Sequence, residues 1–194
     1  LFLNNFNSAP DNCIPHTFYS SIDLQLFILG LGVTVVLIKK PRVGVTLCLS
    51  LILLGNGLLM FFTSINKSSP VLIDADATAS KTRNYLDYVH FATYGHLSNY
   101  FIGLLTAYLL IVEDFLENNA SKIRILFNIA LILSSIVHFG PALHNTFGLL
   151  PQSMVPVYIV TIKFFYVFYY SLFLFTNFKK YAGKVQDTRV VKEE

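Results

Sequence analysis

Residues 18–65 read FYSSIDLQLFILGLGVTVVLI, KKPR, VGVTLCLSLILLGNGLLMFFTSI. The first run, Phe18–Ile38, is interrupted only by Asp23 and Gln25. The second, Val43–Ile65, is softened only by Gly55-Asn56-Gly57. Each is long enough to cross a bilayer as a helix, which takes about 20 apolar residues at a rise of about 1.5 Å per residue. Strands of a barrel would alternate over about 10 residues, and these runs are continuous and longer. Three basic residues stand in the four positions Lys39–Arg42 between them. The stretch reads as two membrane helices joined by a short turn on the cytoplasmic side.

The rest of the chain extends that pattern. Further apolar runs cover 97–112 (with a start nearer Tyr94 as the alternative), 123–139 and 154–178. The run over 123–139 is ended by Gly140-Pro141, and Pro156 falls in a first helical turn, where proline is tolerated. Of 194 residues, 54% are hydrophobic and 13% charged. Soluble domains carry about 25% charged residues. The fold class expected is all-α, a polytopic transmembrane bundle of about five spans at 18–38, 43–65, 97–112, 123–139 and 154–178. Residues 1–17 form an outer segment, 18–178 the membrane domain and 179–194 a cytoplasmic tail.

Charge sets the orientation. Ten of the fourteen basic residues fall on one side: Lys39, Lys40, Arg42, Lys122, Arg124, Lys179, Lys180, Lys184, Arg189 and Lys192. Residues 1–17 and 140–152 hold none. Basic loops stay cytoplasmic, so the N-terminus is expected outside or lumenal and the C-terminus inside, in the plasma membrane or the endoplasmic reticulum. The net charge of +3 is an orientation signal. No basic stripe with interleaved aromatics marks a nucleic-acid surface. The start at Leu1, with no signal-peptide order of basic, apolar and small-residue regions, reads as a processed chain or a fragment. Cys48 reads as a small apolar packer. Cys13, on the outer side, points to a partner thiol outside this chain or to none. The sequon Asn66-Lys67-Ser68 lies on the outer side as a glycosylation candidate, and Asn119-Ala120-Ser121 inside should stay bare.

Charges within hydrocarbon cost roughly 2.5–3.5 kcal/mol on insertion scales, so they are functional hypotheses by default. Asp23 and Lys163 are the two. Their lengths allow them to meet, as an ion pair locking two helices or as a site for a charged substrate group; snorkelling of Lys163 is the third reading. Gln25, about 200° around the helix from Asp23, faces away from it and reads most simply as an interhelical hydrogen-bond donor or acceptor. Asn56 marks either a helix break or close packing through its flanking glycines. Gly103 and Ala107 read as a packing seam. His16, His90, His96, His138 and His144 all map to the outer face, around one polar vestibule. None is paired at i, i+4, so no metal site is expected. A general base for a hydroxyl, or plain interfacial hydrogen bonding, remains for the group.

Several of these residues form a resemblance. Cys13–Phe27, CIPHTFYSSIDLQLF, is similar to the C-x-x-x-(T/S)-W-Y-L-x-x-D-x-Q-(L/F)-F stretch of the nose resistant to fluoxetine family, an animal branch of the acyltransferase type 3 membrane superfamily. Tyr94–Leu110, YGHLSNYFIGLLTAYLL, resembles that family's Y-x-R-x-x-P-Y-L-(I/V)-G-x-x-x-G-Y-L-L. The short basic turn with Pro41 and the sequence Phe139-Gly140-Pro141 fit as well, and Lys163 stands near a family arginine. The likeness covers roughly 13–175. Departures are Phe18 for a tryptophan, His96 for an arginine and Ala107 for a glycine. The superfamily's membrane domain has more spans than this chain, and its essential histidine lies in an early span with no counterpart here. The resemblance therefore implies the C-terminal half of an integral membrane acyltransferase-like protein, its partner being the missing N-terminal half, with no catalytic residue transferable. It implies an acyl donor such as acyl-CoA, a hydroxyl acceptor on a lipid or sugar, membrane lipid as surroundings and no bound cofactor. Substrate-binding candidates are Asp23, Gln25, His96 and Lys163. A non-enzymatic lipid or small-molecule carrier, or an inactive fragment packing with other membrane subunits, are the alternatives.

Overall fold

A computed structural model describes residues 18–69, 79–111, 125, 128, 129, 132 and 151–190. Among them every regular element is helical. Helix α1 spans Phe18–Lys39 and α2 spans Pro41–Ile65. Helix α3, Ala79–Tyr85, runs into a π-helical turn, Leu86–His90. Helix α4 is Tyr94–Ile111. A short 3-10 turn, Gln152–Met154, leads into α5, Val155–Val190. The expected span at 123–139 lies almost wholly outside the described residues, as do residues 1–17.

The α1–α2 turn follows from one proline. The residue before a proline is pushed out of the helical region, and Lys40 sits at φ −141°, ψ 77°. Its amide still closes the last turn of α1 on Val36 O (2.7 Å), and its carbonyl opens α2 by accepting from Gly44 N (3.0 Å). Pro41, with no amide proton to lose, occupies the first position of α2. Helix α2 runs unbroken through Gly55-Asn56-Gly57 to Ile65, so the helix-break reading of Asn56 does not hold. It ends where Lys67 turns left-handed at φ 47°.

Among the described residues, three helices are long and apolar enough to cross a membrane: Tyr19–Lys39, Pro41–Ile65 and Gln152–Ser171. Helix α4 starts at Tyr94, the alternative opening, three residues before Leu97. The last helix continues to Val190, through most of the segment expected as a tail.

The core lies between α1, α2 and α4. Ile22, Leu26, Val33 and Leu37 stripe one face of α1 at helical spacing and pack with Cys48, Ile52, Leu97, Phe101 and Ile102. Cys48 is fully buried as a free thiol among these apolar side chains. A smaller cluster joins α5 to the others through Leu59, Val89, Val155 and Ile159. The opposite faces of α1 and α2 are open and apolar, with Phe27, Ile28, Leu31, Ile38, Leu53 and Phe61 exposed. Burial toward one side and large apolar groups on the other is the arrangement a lipid-facing helix takes.

The close approach of α2 to α4 occurs at Gly55. A Cβ there would stand 3.0 Å from both Leu97 Cβ and the Ser98 backbone nitrogen. Gly103, expected as part of the seam, has nothing within 4 Å of its Cβ position. The packing seam is thus on α2, and Gly103 faces outward.

Candidate functional site

A helix that stops leaves its last carbonyls without intrahelical donors. The π-helical turn after α3 ends at His90, its wide turn closed by Phe91 N donating to Leu86 O (2.8 Å). Its final carbonyls are then taken by two side chains from elsewhere. Lys163 Nζ, reaching in from α5, donates to Val89 O (2.9 Å) and to Gly95 O (3.1 Å). His96 Nε2 donates to His90 O (2.9 Å). A cation at the carbonyl end of a helix is also favoured by the helix dipole.

Gly95 makes the bridge possible. A Cβ at this position would lie 2.7 Å from Val89 O and 3.4 Å from Lys163 Nζ. Without one, the first turn of α4 comes close enough to the π-helical turn for a single ammonium to hold both carbonyls. The segment Phe91–Thr93 between the two helices is tied down by Gly95 N to Ala92 O and His96 N to Thr93 O, both 3.0 Å.

Two more polar contacts converge here from α1. Thr93 Oγ1 donates to Gln25 Oε1 (2.6 Å). Tyr19 OH shares a hydrogen bond of 3.2 Å with His90 Nε2. The Tyr19 ring stands edge-on to both imidazoles, with centroids 5.6 Å from His90 and 6.2 Å from His96. The imidazole of His90 is held below its ordinary protonation range, first by burial and then by the Lys163 charge. A carbonyl only accepts, so Nε2 of His96 carries a proton; in the neutral imidazole the lone pair is then on Nδ1.

Of the residues singled out from the sequence, Gln25, His96 and Lys163 gather at this junction together with His90. Asp23 does not join them. It is exposed on α1, two residues from the inward-turned Gln25, as the 200° offset between them requires. The Asp23–Lys163 ion pair expected as one reading is absent, because the ammonium is taken up by backbone carbonyls. His16, His138, His144 and Cys13 lie outside the described residues, as does Asn119-Ala120-Ser121. Asn66 sits at the end of α2, its Nδ2 donating to Phe62 O (2.9 Å) and its carbonyl accepting from Asn84. Ser68, the third residue of that sequon, is fully buried, and its carbonyl accepts from Gln152 Nε2 (3.1 Å). Asn66 therefore ties α2 to α3, and Ser68, two residues on, ties the same segment to the turn before α5.

Sequence reasoning missed Tyr19, Thr93 and the carbonyls of Val89 and Gly95. Backbone acceptors have no side-chain signature, and a π-helical turn has no composition that announces it. The nearest available signal was Gly95 beside His96, a glycine opening a helix next to a polar side chain.

Compared with protein-family models, curated proteins and solved structures, the chain gives no match.

Proposed function

We propose that this chain is the C-terminal half of a polytopic, five-span, integral membrane acyltransferase-like protein of the nose resistant to fluoxetine type. It moves an acyl group from a cytoplasmic donor such as acyl-CoA to a hydroxyl acceptor at or beyond the outer face. Its N-terminus is outside or lumenal and its tail cytoplasmic. The observation carrying this reading is the junction of π-helical turn, α4 and α5. It holds the His96 imidazole, which donates from Nε2 and in its neutral form has Nδ1 as the basic nitrogen, beside a cation fixed by two carbonyls.

Acyl transfer asks for those two parts. A base accepts the proton of the attacking hydroxyl, and fixed positive charge favours the oxyanion that forms on the acyl carbon. In this reading the hydroxyl oxygen bonds to the acyl carbon and gives its proton to His96 Nδ1. The carbon–sulfur bond of the thioester then breaks, and the thiolate takes up the proton. Lys163 acts as the fixed charge and Gln25 as a lining group.

The test is acyl transfer in membranes containing the whole gene product, supplied with radiolabelled acyl-CoA. His96→Gln is expected to lower lipid or sugar acylation by about 10²-fold or more while the protein's abundance holds. Equal activity in that variant sinks the reading. A second reading, a subunit or carrier without chemistry, is favoured by one observation: the side-chain hydrogen bonds of Lys163 and His96 described above end on backbone carbonyls, a purely structural use. It is distinguished by ligand movement, or assembly, that persists with no acylated product.

A further inference from the structure

We propose that Asn56 and Asn99 form a binding site for the free hydroxyl of an uncharged lipid, between α2, α4 and α5. Helices α2 and α4 run antiparallel: Phe62 stacks on Tyr94 (centroids 4.9 Å apart) at one end, Gly55 meets Leu97 and Ser98, and Cys48 and Ile52 join Phe101 and Ile102 at the other. From the Gly55–Ser98 contact, one residue onward on each helix turns the side chain about 100°. In an antiparallel pair those two turns lead to the same side of the crossing, so Asn56 and Asn99 lie on that side at nearly one level.

That side faces α5. Leu59, one turn beyond Gly55, packs with Val155 and Ile159. Gly95, one turn before Asn99, lies against Lys163 Nζ. Both amide oxygens, Asn56 Oδ1 and Asn99 Oδ1, are buried and accept no hydrogen bond. Buried acceptors nearly always have a donor, and two on one side of a helix crossing define a place for one.

The surroundings select the donor. A cation is disfavoured by the Lys163 ammonium one turn away along α4. An anion is disfavoured by two carbonyl-type oxygens pointing their negative ends at it. A neutral O–H meets neither repulsion, and donates its one proton to one of the two oxygens. Helix α5, the third wall of the site, exposes apolar groups at Val157, Phe173 and Leu174, so the molecule that delivers this hydroxyl comes from the lipid phase. The site deepens the acyl-transfer reading, and rests on it only for the hydroxyl's role as acceptor. Binding itself needs no chemistry.

The experiment is equilibrium binding to the whole gene product in phosphatidylcholine nanodiscs. The probes are tritiated 1,2-dioleoylglycerol and its 3-acetyl ester, which differs by capping the hydroxyl. Saturable binding of the diacylglycerol at least tenfold tighter than the ester is expected, with a tenfold loss in Asn56→Leu and in Asn99→Leu. Equal binding of the two lipids overturns the proposal, and that comparison on the wild-type chain requires no variant to fold. Absence of saturable binding, as for a buried water alone, also overturns it. So does a lowered unfolding midpoint in both variants with diacylglycerol binding unchanged, the mark of a structural amide pair. Binding without acyl transfer in the whole protein would leave this site standing and remove the enzymatic reading.

Discussion

At the scale of single residues, the junction depends on one side chain that is present and one that is absent. Lys163 spans two backbone segments with one ammonium, and Gly95 lets them approach. Gly95→Ala places a methyl 2.7 Å from Val89 O, against backbone that cannot swing aside. The variant is expected to lose about 1–3 kcal/mol of stability, read as a lower unfolding midpoint in detergent. An unchanged midpoint would show that the two turns do not depend on this contact. His90 gives the junction a pH dependence. Its folded-state protonation lies below the ordinary histidine value of 6.5, through burial and then through Lys163. The unfolded chain thus binds the proton first as pH falls. The His90 contribution is complete above pH 6.5 and is lost progressively below it. His90→Gln is expected to flatten the fall in unfolding midpoint between pH 6.5 and lower values. A slope identical to wild type would place the titration elsewhere. The sequence made Lys163 conspicuous as a charge in an apolar run, but its partners are main-chain atoms 68 and 74 positions away. No pattern of side chains encodes such acceptors. It also made Gln25 and Asp23 legible as opposite-facing, and that much follows from helix geometry alone.

At the scale of elements, two glycines of similar appearance in the sequence have opposite roles. Gly103 opens a small-xxx-small pair, yet its Cβ position is in open space, while Gly55 touches α4. Alanine favours helix over glycine by up to about 1 kcal/mol. Gly103→Ala is therefore expected to raise the unfolding midpoint. Gly55→Ala meets Leu97 Cβ and the Ser98 nitrogen at 3.0 Å and is expected to lower it by about 1 kcal/mol or more. Paired thermal unfolding of the two variants checks this; the same sign for both would mean that α2 and α4 separate freely. The helices themselves were readable: the proline-terminated hairpin of α1 and α2 follows from Lys40-Pro41, and the start of α4 near Tyr94 was one of two openings the residues allowed. The continuation of α5 to Val190 was not readable, because charged residues favourable to helix look the same in a tail as in a helix surface.

At the scale of the whole molecule, apolar runs and asymmetric loops of lysine and arginine make one expectation. A tag at the N-terminus should be accessible in intact cells, and one at the C-terminus only after permeabilisation. Accessibility of the C-terminal tag in intact cells would reverse the orientation and, with it, the side on which the His90–His96 junction lies. By itself, the sequence determined that the chain is helical and where the first two helices lie, to within two residues at their ends; of the five spans it led one to expect, three among the described residues are long and apolar enough to cross a bilayer. Those properties are local: hydropathy over about 20 residues and the steric restriction before a proline. Only the tertiary structure decided that Lys163 caps a π-helical turn instead of meeting Asp23, that Asn66 is a tie between elements, and that Gly55 is the crossing point. Each of those depends on which helix faces are brought together, and contacts between faces far apart in the chain are set by packing, where no local rule applies.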